Sequence, residues 1–129
     1  MKPLRKILLV DDDPDILTIT KYALQLNKNL EVMCALSGYE AIDVARSFKP
    51  DLILLDVMMP KMDGITTLSL MHQMPELKES KFVFFTAKIS DSELASYNKY
   101  DVIGILFKPF DPLKIYETII NLWLNSPKK

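Results

Sequence analysis

Residues 52–64 read LILLDVMMPKMDG. Four apolar residues run straight into a carboxylate, Asp56, and the chain then turns through Pro60 and Asp63-Gly64. A run that is apolar at every position, rather than every second one, is what a strand needs when both of its faces are covered. An ionised carboxylate next to such a strand is costly unless it is paired, so Asp56 is either satisfied locally or put to use. Four further strand-sized runs lie around it: ILLV (7–10), LEVMCAL (30–36), FVFF (82–85) and VIGILF (102–107). The LEVMCAL run is the most mixed, which suits an edge strand.

Helical spacing fills the intervals. Asp13-Pro14 supplies an N-cap and a first-turn proline for a first helix, with Ile16, Ile19, Thr20, Ala23 and Leu24 on its apolar side. Ser37-Gly38-Tyr39-Glu40 and Ser90-Asp91-Ser92-Glu93 read as capping boxes opening the second and fourth helices, and residues 64–73 as the third. Asp111-Pro112 repeats the Asp-Pro start, with Leu113, Tyr116, Ile119, Ile120 and Trp123 lining one face of the fifth. Five strand–helix alternations predict an α/β fold, a doubly wound five-stranded parallel sheet with right-handed crossovers. Residues 1–125 form one domain, and SPKK (126–129) reads as a free tail.

The chain of 129 residues is long enough for one core and too short for two ordinary domains. A net charge of −1 argues against direct nucleic-acid or membrane-surface binding by bulk electrostatics. The single cysteine, Cys34, excludes an internal disulfide. The apolar stretch after MKPLRK is too short for a secretory signal, and no run approaches membrane-spanning length, so the expected location is cytoplasmic.

In an open α/β sheet the site lies beyond the carboxyl ends of the strands. There the sequence places Asp11-Asp12-Asp13, then Asp56, then Thr86, then Lys108-Pro109. Converging carboxylates repel and raise one another's pKa, and a divalent cation relieves that repulsion. Oxygen-only ligands without a nearby histidine favour a hard ion, Mg²⁺, with Mn²⁺ as a substitute. A lysine and a hydroxyl beside a carboxylate make a phosphoryl-transfer site, with the carboxylate as nucleophile and an aspartyl-phosphate as product. Taken singly, Asp13 is a helix cap, Asp11 and Asp12 a solvated turn, Lys108 a surface lysine and Thr86 a strand end. Their coincidence at four strand ends favours a site. Asp63-Gly64 reads as a turn and helix entry without chemistry.

The segments VDDDPD (10–15), LLDVMMPKMDG (54–64), FFTA (84–87) and FKPF (107–110), in this order and spacing, resemble the receiver domain of a two-component response regulator from end to end. The resemblance implies a flavodoxin-like, CheY-like sheet of order 2-1-3-4-5. It implies Asp56 as phosphoacceptor, and Mg²⁺ held by Asp12 and Asp56, by Asp11 through water, and by the backbone carbonyl of Met58. It implies that Thr86 and Lys108 bind phosphoryl oxygens and that the Lys108-Pro109 bond is cis. The implied donor is a phosphohistidine on a sensor histidine kinase or a histidine phosphotransfer protein. The resemblance also implies a domain that assists its own phosphorylation and dephosphorylation without being an enzyme in the turnover sense. Output would pass to a downstream protein through helix 4, strand 5 and helix 5, including Tyr97, Tyr100, Tyr116 and Lys114, although Tyr116 and Trp123 read better as core-facing. A phosphorylation-dependent homodimer through the same face stays open. Met1 and the short basic tail favour a stand-alone receiver.

One position departs from the family pattern. Ile105 stands three residues before Lys108, where the family has Tyr or Phe, and isoleucine is too short and too stiff for the aromatic swing. Phe107 shares its face by strand alternation. The expectation is that Thr86 moves while output is read through backbone or helix 4 shifts. Met58 and Lys88 flank the site at variable positions, and Met58 has no polar group to orient an attacking water, so slow self-dephosphorylation is expected. Three rivals remain. A haloacid-dehalogenase-type phosphatase would use Asp11 and Asp13, but it leaves Asp56 unexplained. A degenerate receiver acting only as a binding module would lack site residues, and none is missing. A flavodoxin-type cofactor binder would meet repulsion from DDDPD.

Overall fold

The computed structural model describes residues 2–27, 29–87 and 90–127. Strands β1 (Lys6–Val10), β2 (Glu31–Ala35), β3 (Leu52–Asp56), β4 (Lys81–Ala87) and β5 (Gly104–Lys108) form one parallel sheet in the order β2-β1-β3-β4-β5. Between them lie α1 (Pro14–Gln25), α2 (Gly38–Phe48), α3 (Gly64–His72), α4 (Asp91–Tyr97) and α5 (Ile115–Leu124), with a 3₁₀ turn at Pro75–Leu77.

The uninterrupted apolar runs are explained by two cores, one on each face of the sheet. Leu8, Val10, Ile53, Leu55, Phe82 and Phe84 enter one together with residues of α2 and α3. Their sequence neighbours Ile7, Leu9, Leu52, Leu54, Val83 and Phe85 enter the other with residues of α1 and α5. β2 is an edge strand that leaves Glu31 and Met33 exposed, as its mixed composition predicted.

Caps fix where the helices begin. The side chains of Asp13, Ser37 and Ser90 accept from the backbone N–H of Asp15, Glu40 and Glu93 at 2.9, 3.1 and 3.3 Å. Asp63 does the same for Thr66 at 2.8 Å, so the Asp63-Gly64 turn is also a helix cap. A Cβ on Gly64 would lie 2.2 Å from the Asp56 carbonyl oxygen and 2.8 Å from the Val57 Cα. Only glycine lets α3 start this close to the strand end that carries Asp56.

Two expectations need correction. The fifth helix does not start at Asp111-Pro112. Asp111 Oδ1 instead accepts from the Leu113 N–H at 2.9 Å, which closes a turn of the kind an Asp side chain makes with the residue two on. The helix begins at Ile115, and Leu113 is 85% exposed rather than on its buried face. Nor is the start of SPKK free. Ser126 is buried, its hydroxyl donates to the Trp123 carbonyl at 2.6 Å, and Lys81 Nζ donates to Ser126 Oγ and, at 2.9 Å, to the Pro127 carbonyl.

Candidate functional site

Each site residue stands where its strand stops. β1 delivers Asp11 and Asp12, β3 ends on Asp56, β4 carries Thr86 one residue from its end, and β5 ends on Lys108. One carboxylate oxygen from each of Asp11, Asp12 and Asp56 lies within 4.8 Å of the other two. Asp11 and Asp56 are buried, while Asp12 faces solvent and leaves the cluster open on one side. Lys108 Nζ sits 2.5 Å from Asp11 Oδ2 and 3.5 Å from Asp56 Oδ2, over the ring of Phe85. Asp11 Oδ1 accepts from the Asp13 N–H at 2.9 Å, and Asp56 Oδ1 from the Met58 N–H at 3.2 Å. Thr86 is fully buried, and its hydroxyl has no hydrogen-bond partner among the described residues. The Lys108-Pro109 bond is cis.

Among the described residues, three carboxylates thus cluster where Lys108 pairs with two of them, Asp11 and Asp56. Burial pushes the Asp56 carboxyl up, and the neighbouring Asp11 charge adds to it. Lys108 and the Met58 N–H offset only part of this, and the group ends at about 7. Burial pulls Lys108 down, but its hydrogen bond to Asp11 and the charges of Asp11 and Asp56 more than reverse that, so it is raised. The donor set is all oxygen, and the sole histidine, His72, lies on α3 against Phe82. Hard ligands, excess negative charge and an open side fit a magnesium-like cation.

Among the anticipated residues, Asp11, Asp12, Asp56, Thr86 and Lys108 therefore meet at one sheet edge. Met58 follows in the loop with its side chain exposed. Lys88 lies outside the described residues. Asp13 serves as the α1 cap, which speaks against the phosphatase reading of Asp11 and Asp13 as a catalytic pair. Ile105 is half-buried, pairs in register with Phe84 and packs against the same core as Tyr97. Tyr97 corrects the expected output surface. It is buried, with its ring edge-on to Phe84 at 5.7 Å, while Tyr100 stays at the surface and Tyr116 is half-buried. Gly64 was missed as a site residue, because its demand comes from a tertiary approach that only the Asp-Gly pair hinted at.

A family model, the response regulator receiver domain, matches residues 7–120. The chain belongs to that family. The Bacillus subtilis alkaline phosphatase synthesis transcriptional regulatory protein PhoP is 35% identical over 115 residues, covering 86% of this chain and 45% of that protein. The Escherichia coli nitrate/nitrite response regulator protein NarL is 32% identical over 107 residues, 82% of this chain and 49% of that one. The chain spans about half the length of these curated relatives. The structure of Vibrio cholerae chemotaxis protein CheY4 superposes with a TM-score of 0.83 at 28% identity, covering 93% of this chain and 99% of that one. As a receiver domain, the chain serves phosphorelay signal transduction.

Proposed function

We propose that Asp56 accepts a phosphoryl group from a phosphohistidine on a sensor histidine kinase or a histidine phosphotransfer protein. The P–N bond to the donor imidazole breaks, a bond from phosphorus to an Asp56 carboxylate oxygen forms, and the imidazole leaves neutral after taking up a proton. The observation that carries this reading is the under-neutralised carboxylate cluster around Asp56. The nucleophile must be ionised, yet burial and Asp11 hold Asp56 near 7. A bound Mg²⁺, or Mn²⁺ in its place, would supply the charge that keeps Asp56 ionised and screens an incoming phosphoryl group.

Asp12, Asp56 and the Met58 carbonyl would hold that ion directly, with Asp11 through water. The chain's own groups do the rest. Lys108 lies within reach of Asp56 Oδ2 and pairs with a phosphoryl oxygen attached there. Thr86 brings a buried hydroxyl that has no competing partner among the described residues. The Met58 N–H holds Asp56 Oδ1 in place. These groups stabilise charge on the transferring phosphoryl, so the domain assists its own phosphorylation and later hydrolysis. The exposed, apolar side chain of Met58 offers no hydrogen bond to an attacking water, which makes that hydrolysis slow.

The signal leaves as a shifted equilibrium between two surfaces of α4, β5 and α5, read by a downstream protein or a second copy. Tyr100 and Lys114 are exposed there, and with Ile105 in place of an aromatic the movement of Thr86 is read through backbone or α4 shifts. The site of action is the cytoplasm; no helix among the described residues is long and apolar enough to cross a membrane. Incubation with Mg²⁺ and an acyl phosphate, followed by intact mass measurement, tests the reading. The wild type gains one phosphoryl group and Asp56→Asn gains none. Equal gain by both, or none by the wild type, contradicts it.

A further inference from the structure

Thr20 lies on the sheet-facing side of α1 at 1% exposure, and its hydroxyl has no hydrogen-bond partner among the described residues. A threonine inside a helix commonly gives its hydroxyl proton to the carbonyl four residues back. Thr18 does so, to Pro14 at 2.9 Å, and Thr67 does so, to Asp63 at 2.8 Å. Thr20 makes no such bond. A buried hydroxyl left unbonded is costly, and a valine of the same shape would avoid that cost. Beside Thr20 is a cavity of about 10 Å³, on the scale of one water. Its lining is Asp11 and Thr20, and otherwise apolar side chains such as Leu17, Leu54 and Phe85.

We propose that Thr20 is a positioning residue for the cation site, holding the Asp11 carboxylate through one bridging water. The inference rests on the reading of Asp11 as part of that site. Asp11 otherwise depends on the Asp13 N–H and on Lys108, and Lys108 is shared with Asp56. In the proposed reaction the phosphoryl group claims Lys108. A tie to Asp11 that is independent of Lys108 keeps the carboxylate oriented while the lysine is drawn away.

The test compares the wild type, Thr20→Val and Thr20→Ser by calorimetric titration with Mg²⁺ alone, alongside thermal unfolding without metal. Thr20→Val weakens Mg²⁺ binding about tenfold or more, as loss of an outer-sphere partner does. Thr20→Ser restores it, and Thr20→Val unfolds at no lower temperature than the wild type. A packing role alone would move the unfolding temperature and leave the affinity unchanged, and that result overturns the proposal. A second measurement needs no metal: an NMR cross-peak between the Thr20 methyl and a bound water. Its absence, or a Thr20 hydroxyl found bonded to the Ile16 carbonyl, also overturns the proposal. If the wild type itself binds no Mg²⁺, the cation site reading fails, and the cross-peak alone then decides whether the bridge to Asp11 exists.

Discussion

Asp51 and Asp56 bracket β3, both buried, and the chain treats them in opposite ways. Asp51 is saturated. Its Oδ1 takes the Lys2 ammonium at 2.9 Å, and its Oδ2 accepts the backbone N–H groups of Arg5 and Lys6 at 3.0 and 2.9 Å. The network continues at the same sheet edge. The Asp51 carbonyl accepts the Lys81 N–H at 2.9 Å, Lys81 holds the residues after α5, and the Trp123 indole donates to the Lys2 carbonyl at 3.0 Å. Both described chain ends are tied down there. Asp56 is left wanting, with one N–H at 3.2 Å, a lysine at 3.5 Å that lies closer to Asp11, and a second buried carboxylate beside it. A buried charge with both of its oxygens paired holds structure together. One with partners withheld retains a capacity to bind, and that unmet demand distinguishes the carboxyl edge of the sheet from the amino edge.

The comparison can be broken most forcefully at Asp51. Asp51→Ala leaves two backbone N–H groups without their acceptor and should destabilise the fold by about 2–4 kcal/mol in denaturant unfolding. Lys2 adds little to that figure because it is mostly exposed. The folded fraction should still take phosphate at Asp56. Unfolding no earlier than the wild type would show that Asp51 is not the structural member of the pair.

A smaller effect of opposite sign belongs to Asp56. Its folded pKa, about 7, lies above the ordinary 3.8, so the folded state holds the proton more tightly. Its stabilising contribution is complete below 3.8 and is lost as pH rises to about 7. Metal-free wild type should therefore lose stability against Asp56→Asn across that range. At pH 8 the variant should be the more stable, by on the order of 1–3 kcal/mol, the cost of a buried polar group short of partners. Unfolding curves at low and high pH check this, and a wild type more stable than Asp56→Asn at pH 8 would erase the contrast with Asp51.

Much of this was legible in the sequence because the same requirement repeats. A sheet covered on both faces needs apolar residues at every strand position, so ILLV, LILL and FVFF marked their own strands, and the residue after each run marked the site. The caps at Asp13, Ser37 and Ser90 were readable because their partners are local. What escaped depended on distant partners. Asp51 looks like a loop residue until Arg5 and Lys6, 46 and 45 positions away, supply its donors. Tyr97 looks like surface on a short polar helix until Phe84 covers its ring. Thr20 passed as one more member of an apolar stripe, since periodicity registers burial and says nothing of a hydroxyl without a partner among the described residues.

The most direct test of the central claim is a Mg²⁺ titration followed through the carboxyl carbon resonances of the aspartates. Resonances of Asp11, Asp12 and Asp56 should move together and saturate on one binding curve, while that of Asp51 stays in place. Stationary resonances for the three, or an equal displacement of Asp51, would contradict the account.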